Sequence, residues 1–114
     1  MKKNKSFIQQ FKFAFNKEEV ISELPLILED IYALLEQIKK SKNEKEAEIY
    51  FITLGEIQGI LAILTFEHNV HLPQELRKIL RDCDRLDDKD VRDFLFREIK
   101  NGTYCLKSDK FLWY

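Results

Sequence analysis

The segment Glu46–Glu67, EAEIYFITLGEIQGILAILTFE, is the longest apolar run in the chain, and every other amphipathic stretch needs it as a packing partner. An α-helix turns about 100° per residue, so Tyr50, Leu54, Ile57, Leu61 and Leu64 fall within about one quadrant of such a helix. They form the expected core face. Ile52, Ile63 and Phe66 lie on the far side, mixed with Gly55, Gly59, Glu48, Glu56 and Glu67. A helix with apolar residues on both sides belongs in the middle of a fold, with neighbours on more than one side. Gly55 and Gly59 make a Gly-x-x-x-Gly pattern, and each costs about 1 kcal/mol relative to alanine in a helix interior. Their spacing therefore predicts a close approach by another backbone, most simply from the same chain. In a bilayer the same spacing marks a helix dimer. Here Glu48, Glu56 and Glu67 interrupt the run, which speaks against a membrane span.

The rest of the 114 residues supports a single helical domain over 1–114. Three glycines and two prolines are too few for a turn-rich β fold. Phe7, Phe11 and Phe15, with Ile8 beside them, predict a helix over 5–15. Asn16 and Glu19 have capping-box spacing, and a short helical piece follows to about Ser22. Leu24-Pro25 breaks that piece, and Pro25 suits the first turn of a helix reaching Lys40. Ile27, Ile31, Leu34, Leu35 and Ile38 are its expected core residues. Ser41-Lys42-Asn43 is a short connection, so the helices on either side should be antiparallel neighbours. Asn43 and Glu46 repeat the capping-box spacing and start the central helix, 44–67. Leu72-Pro73 opens a further helix with Leu76, Ile79, Leu80 and Cys83 on its apolar side. Asp87 or Asp88 caps a last helix that carries Val91, Phe94, Leu95 and Ile99 and stops at Asn101-Gly102. The tail, TYCLKSDKFLWY, is β-branched and aromatic, and reads as a hairpin or an extended strap. The expected fold is all-α: an antiparallel bundle of about five helices around the central one.

Charge is unevenly spread although the formal net charge is only −1. Residues 1–16 carry Lys2, Lys3, Lys5 and Lys12 and no acid, whereas residues 17–36 carry six acids and one lysine. This balance gives no general attraction to nucleic acid or to an anionic membrane. Two cysteines are too few for a disulfide framework. The N-terminus lacks the continuous apolar core of a secretory signal, so reduced thiols in the cytoplasm are expected.

No pattern for catalysis stands out. His68 and His71 straddle a helix end and lack the Cys pair or Glu-x-x-His partner of a zinc site. Cys83 lies between Asp82 and Asp84, which disfavour its thiolate. The five aspartates from Asp82 to Asp90 lack the glycine, spacing and distal glutamate of a calcium loop, and alternate with Arg81, Arg85, Lys89 and Arg92 as salt-bridge partners. Phosphate loops and nucleophile elbows are absent from the sequence. The helix DVRDFLFREIK is too acidic to serve as a recognition helix in DNA. No enzyme, cofactor or metal is expected.

A small helical chain with acidic helices and an aromatic tail is similar to the cytoplasmic immunity proteins that partner secreted bacterial toxins, of the contact-dependent-inhibition or bacteriocin kind. The resemblance lies in size, helical pattern and acidity, and it transfers no functional residue. It implies a monomer or homodimer that binds one toxin domain, for example a nuclease, and covers its active site. The acids Glu29, Asp30, Glu56, Asp84, Asp87 and Asp88 would face a basic toxin, and Tyr104, Trp113 or Tyr114 would anchor the contact. The alternative is a self-associating regulatory or adaptor protein, phage- or plasmid-borne, with Gly55, Gly59 and Ile63 as its dimer seam. A transcriptional regulator using the N-terminal lysines on phosphates is the third reading.

Overall fold

The computed structural model describes residues 17–107, and all structural statements here concern them. The expected helix over 5–15, the Asn16 cap and the tail beyond Lys107 lie outside the described residues. Five helices and no strand make up the described chain: α1 (Lys17–Ser22), α2 (Leu24–Lys40), α3 (Glu44–Phe66), α4 (Gln74–Asp82) and α5 (Lys89–Lys100). The fold is all-α, as the periodicity predicts.

The helix boundaries follow from local chemistry. Pro25 sits in the first turn of α2, where its missing N–H costs nothing. At the other end, Lys100 from α5 donates to the carbonyls of Lys39 (3.0 Å) and Ser41 (2.6 Å), supplying a cation where the helix dipole is negative. Asn43 is extended and its side chain accepts the Glu46 N–H at 2.9 Å. Glu46 reaches back in turn, accepting the Lys42 N–H at 2.7 Å, one residue earlier than in the standard capping box. Asn43→Ala should therefore destabilise the fold by about 1 kcal/mol, read as a lower urea midpoint at unchanged slope. The central helix closes where Asn69 takes a left-handed conformation (φ 56°), which lets the Val70 N–H return to the Leu64 carbonyl at 2.9 Å. Asparagine is among the few side chains that tolerate this backbone. Asp88 caps α5 by accepting the Asp90 N–H at 2.9 Å, and Gly102 (φ 76°) ends it.

The α2–α3 hairpin forms one wall of the domain, and α4 and α5 pack against the same central helix. Ala47, Phe51, Leu54, Ile57, Ile60, Leu61 and Leu64 of α3 are buried, covering about half of its circumference rather than one quadrant. Phe51 replaces the expected Tyr50 as the large aromatic of the core, and Tyr50 is only half-buried. Three neighbouring helices demand a wider face than a single stripe. By length and composition α3 could cross a bilayer, yet it serves here as the core helix of the bundle.

The sequence-based expectation for Gly55 and Gly59 is not met among the described residues. A Cβ added at either position meets no described atom within 4 Å. No described backbone approaches that side of α3, so the glycines lie on an open face.

Between Gly102 and Lys107 the tail carries no strand. It lays Leu106 into the core and Tyr104 partly over α4. Beneath it lies a buried polar group: Lys78 and Asp82, 2% and 1% exposed, one turn apart on α4 with Nζ to Oδ2 at 3.4 Å. The Tyr104 hydroxyl donates to the same Oδ2 at 3.0 Å, and the Lys78 ammonium stands 5.2 Å from the Tyr104 ring centre.

Candidate functional site

Two features share one side of α3: an open apolar face and an acidic groove beside it. Both follow from its half-buried circumference. Residues 52, 59, 63 and 66 lie within about 60° of each other on the helix opposite the buried arc. Ile52 is 54% exposed and Phe66 74% exposed, with Ile63 and, at the edge, Ile49 also exposed. The two glycines leave the middle of this strip flat. The exposed apolar residues therefore lie along one side of the helix.

The groove has a volume of about 240 Å³ and runs from this strip to the turn between α4 and α5. Its lining includes Glu48, Ile52 and Gly55 from α3 and Asp87 and Arg92 from the other side. Arg92 is held by Glu44 (Nε to Oε2 3.4 Å) and by the Leu86 carbonyl (3.0 Å), which fixes the start of α5 against the start of α3. Lys89 adds a second tie, 3.6 Å from Glu44 and 2.9 Å from Asp93. Glu48 and Asp87 are the acids of this groove, beside Arg92 and the apolar Phe51, Ile52 and Leu86.

The sequence-derived acids are distributed unevenly around this site. Asp87 lines the groove and is exposed. Asp84 is exposed close by, and accepts from the Gln58 amide of α3 at 3.3 Å. Asp88 is half-buried and engaged as a cap and with Arg85 at 3.4 Å. The Asp90 backbone N–H is the main reason its carboxyl sits below the ordinary carboxylate range, with Arg85 contributing. Glu56 is half-buried on the opposite flank of the apolar strip. Glu29 and Asp30 are on α2, away from the groove lining. Tyr104 is half-buried with its hydroxyl committed to Asp82, and borders a different hollow of about 300 Å³ with Tyr32 and Lys39. Trp113 and Tyr114 lie outside the described residues. Glu48 was not singled out by sequence, because one glutamate among many on a long helix carries no distinguishing signal.

The ionisable groups show no catalytic arrangement among the described residues. Burial, reinforced by the neighbouring Asp82 carboxylate, pushes the Cys83 thiol far above its usual value, so it is a small core side chain rather than a nucleophile. Burial also raises the Tyr104 phenol, followed in effect by Cys83 and Asp82. No three His, Cys, Asp or Glu side chains converge as a metal cage among the described residues. The arrangement offers recognition chemistry: an apolar strip, two groove acids and a frame of ion pairs.

Comparison with known proteins gives one finding that bears on this arrangement. A family model described as "Immunity protein CdiI-like" matches residues 4–101, which is most of the chain. Neither a curated protein nor a solved structure matches it.

Proposed function

The chain belongs to the CdiI-like immunity protein family, and from that premise we propose that it neutralises a cognate bacterial toxin domain in the cytoplasm by binding it and covering its active site. It acts as a stoichiometric binder and performs no chemistry. The observation that carries the reading is the acidic groove of Glu48 and Asp87, flanked by Asp84, on a frame held rigid by the Arg92–Glu44 and Lys89–Glu44 pairs. A pre-formed acidic surface suits a basic toxin, because like a nuclease's substrate it presents negative charge to a site built for anions. Such complementarity accelerates encounter and fixes orientation more than it adds raw affinity. The rigid frame limits the ordering cost at the interface.

Charge reversal tests this surface. Asp84→Lys with Asp87→Lys should slow association with the toxin by one to two orders of magnitude at low salt. It should also flatten the dependence of the association rate on salt. Asp88 is left intact because it caps α5. Stopped-flow fluorescence at several ionic strengths reads both effects, and circular dichroism checks the fold. An unchanged association rate would move the interface elsewhere.

A further inference from the structure

We propose that the groove between α3 and the α4–α5 turn receives one arginine side chain of the bound toxin. This rests on the proposed function and deepens it, by naming what the groove holds. At about 240 Å³ the groove is smaller than the roughly 300–1,000 Å³ of small-molecule sites, and it has room for one long side chain.

Gly55 keeps that room clear. A glycine in a helix interior costs stability relative to alanine, and no described backbone approaches Gly55 to account for it. Gly55 lines the groove, and a Cβ there meets nothing within 4 Å. A larger side chain at this position would fill the groove from its α3 side. The open space is matched to a group that no described residue supplies.

Charge selects the occupant. Arg92, in the lining, has its charge matched by Glu44 at 3.4 Å. The neighbouring bases are also paired, Arg85 with Asp88 and Lys89 with Glu44 and Asp93. Glu48 and Asp87 have no cationic partner among the described residues. One comes from α3 and the other from the α4–α5 turn, so the groove carries two uncompensated carboxylates from separate elements. Ile52 and Leu86 beside them give the methylenes of a long cationic stem an apolar surface to lie on. Arginine meets both demands. Its planar fork has five donors, enough to serve two carboxylates at once, whereas a lysine ammonium acts as a point charge.

Gly55→Leu in the full chain fills the groove and changes no charge. The substitution raises helix propensity, and circular dichroism should show an unaltered fold. Its dissociation constant for the cognate toxin domain should rise by about 30-fold or more, as for a blocked interface anchor. Glu48→Gln with Asp87→Asn should weaken binding by about tenfold or more and reduce its salt dependence. The toxin's arginines are then replaced by alanine one at a time. One replacement should weaken binding to the unaltered chain yet cost nothing further against Gly55→Leu. A second arm needs no toxin: acetyl-Gly-Arg-Gly amide is titrated into the nitrogen-15-labelled chain. It should shift the amide signals of Gly55, Leu86 and Asp87 saturably, and its neutral citrulline counterpart should not. Toxin affinity unchanged in Gly55→Leu, or coupling to a lysine or to no basic residue, would overturn the proposal and leave neutralisation standing. A chain that neutralises no toxin would contradict the proposed function instead. The peptide titration then decides the groove alone, and equal responses to arginine and citrulline would overturn it.

Discussion

Asp82→Ala should cost about 3–5 kcal/mol of stability, the expected penalty for removing one member of a buried ion pair. The carboxylate is 1% exposed and faces Lys78, itself 2% exposed. Without it the ammonium stays in a low-dielectric site with its counter-charge gone, and the Tyr104 hydroxyl loses its acceptor at 3.0 Å. The loss would come from that exposed mismatch rather than from the worth of the pair. Replacing both charges, as Lys78→Met with Asp82→Leu, should therefore recover most of it. Tyr104→Phe alone should cost only about 1 kcal/mol, since it removes one hydrogen bond and keeps the ring. Urea unfolding of the three variants beside the unaltered protein checks the series. If Asp82→Ala cost under 1 kcal/mol, the Lys78 ammonium would not be left uncompensated in a buried site.

The second large effect is expected at Phe51. This ring is 1% exposed in the N-terminal half of α3, at one edge of the helix's buried arc and within the core cluster. Phe51→Ala should destabilise by about 3–5 kcal/mol, combining lost burial with the cavity left behind. Folding stability of small domains is about 5–15 kcal/mol, so this one change would remove a large share of it. Tyr50→Ala, next to it but half-buried, should cost clearly less. Thermal unfolding of the two variants distinguishes them, and equal losses would mean that Tyr50 is as much a part of the core as Phe51.

The contrast between those neighbours shows how far the sequence was readable. Periodicity, Pro25, Asn43 and Asn101-Gly102 located the helices because each is a local signal, acting within a turn of where it stands. The width of the α3 core face was not local. It depends on three packing helices: Leu54, Ile57, Leu61 and Leu64 of the predicted stripe are buried, and Ala47, Phe51 and Ile60 widen the face on either side of it. Gly55 and Gly59 were read as a close contact because a helix glycine needs a reason, but no described backbone is there. Lys78 and Asp82 escaped notice because charged residues at i,i+4 ordinarily face water, whereas here both are buried and Tyr104 of the tail reaches Asp82. At the site, Asp84 and Asp87 were readable as acids near a turn. The shared groove of Asp87 and Glu48 was not, since it joins residues about forty apart in sequence. The immunity resemblance, drawn from size, helical pattern and acidity, agrees with the family to which the chain belongs.

The proposed function is tested most directly on the toxin itself. The cognate toxin domain, recovered with the tagged chain from its own cells, is assayed for activity while the purified chain is titrated in. Stoichiometric binding over the active site predicts a linear loss of activity that ends at one equivalent, relieved by excess substrate only to the extent that substrate outcompetes the complex. A toxin that stays fully active when saturated with this chain would contradict neutralisation by a covered active site.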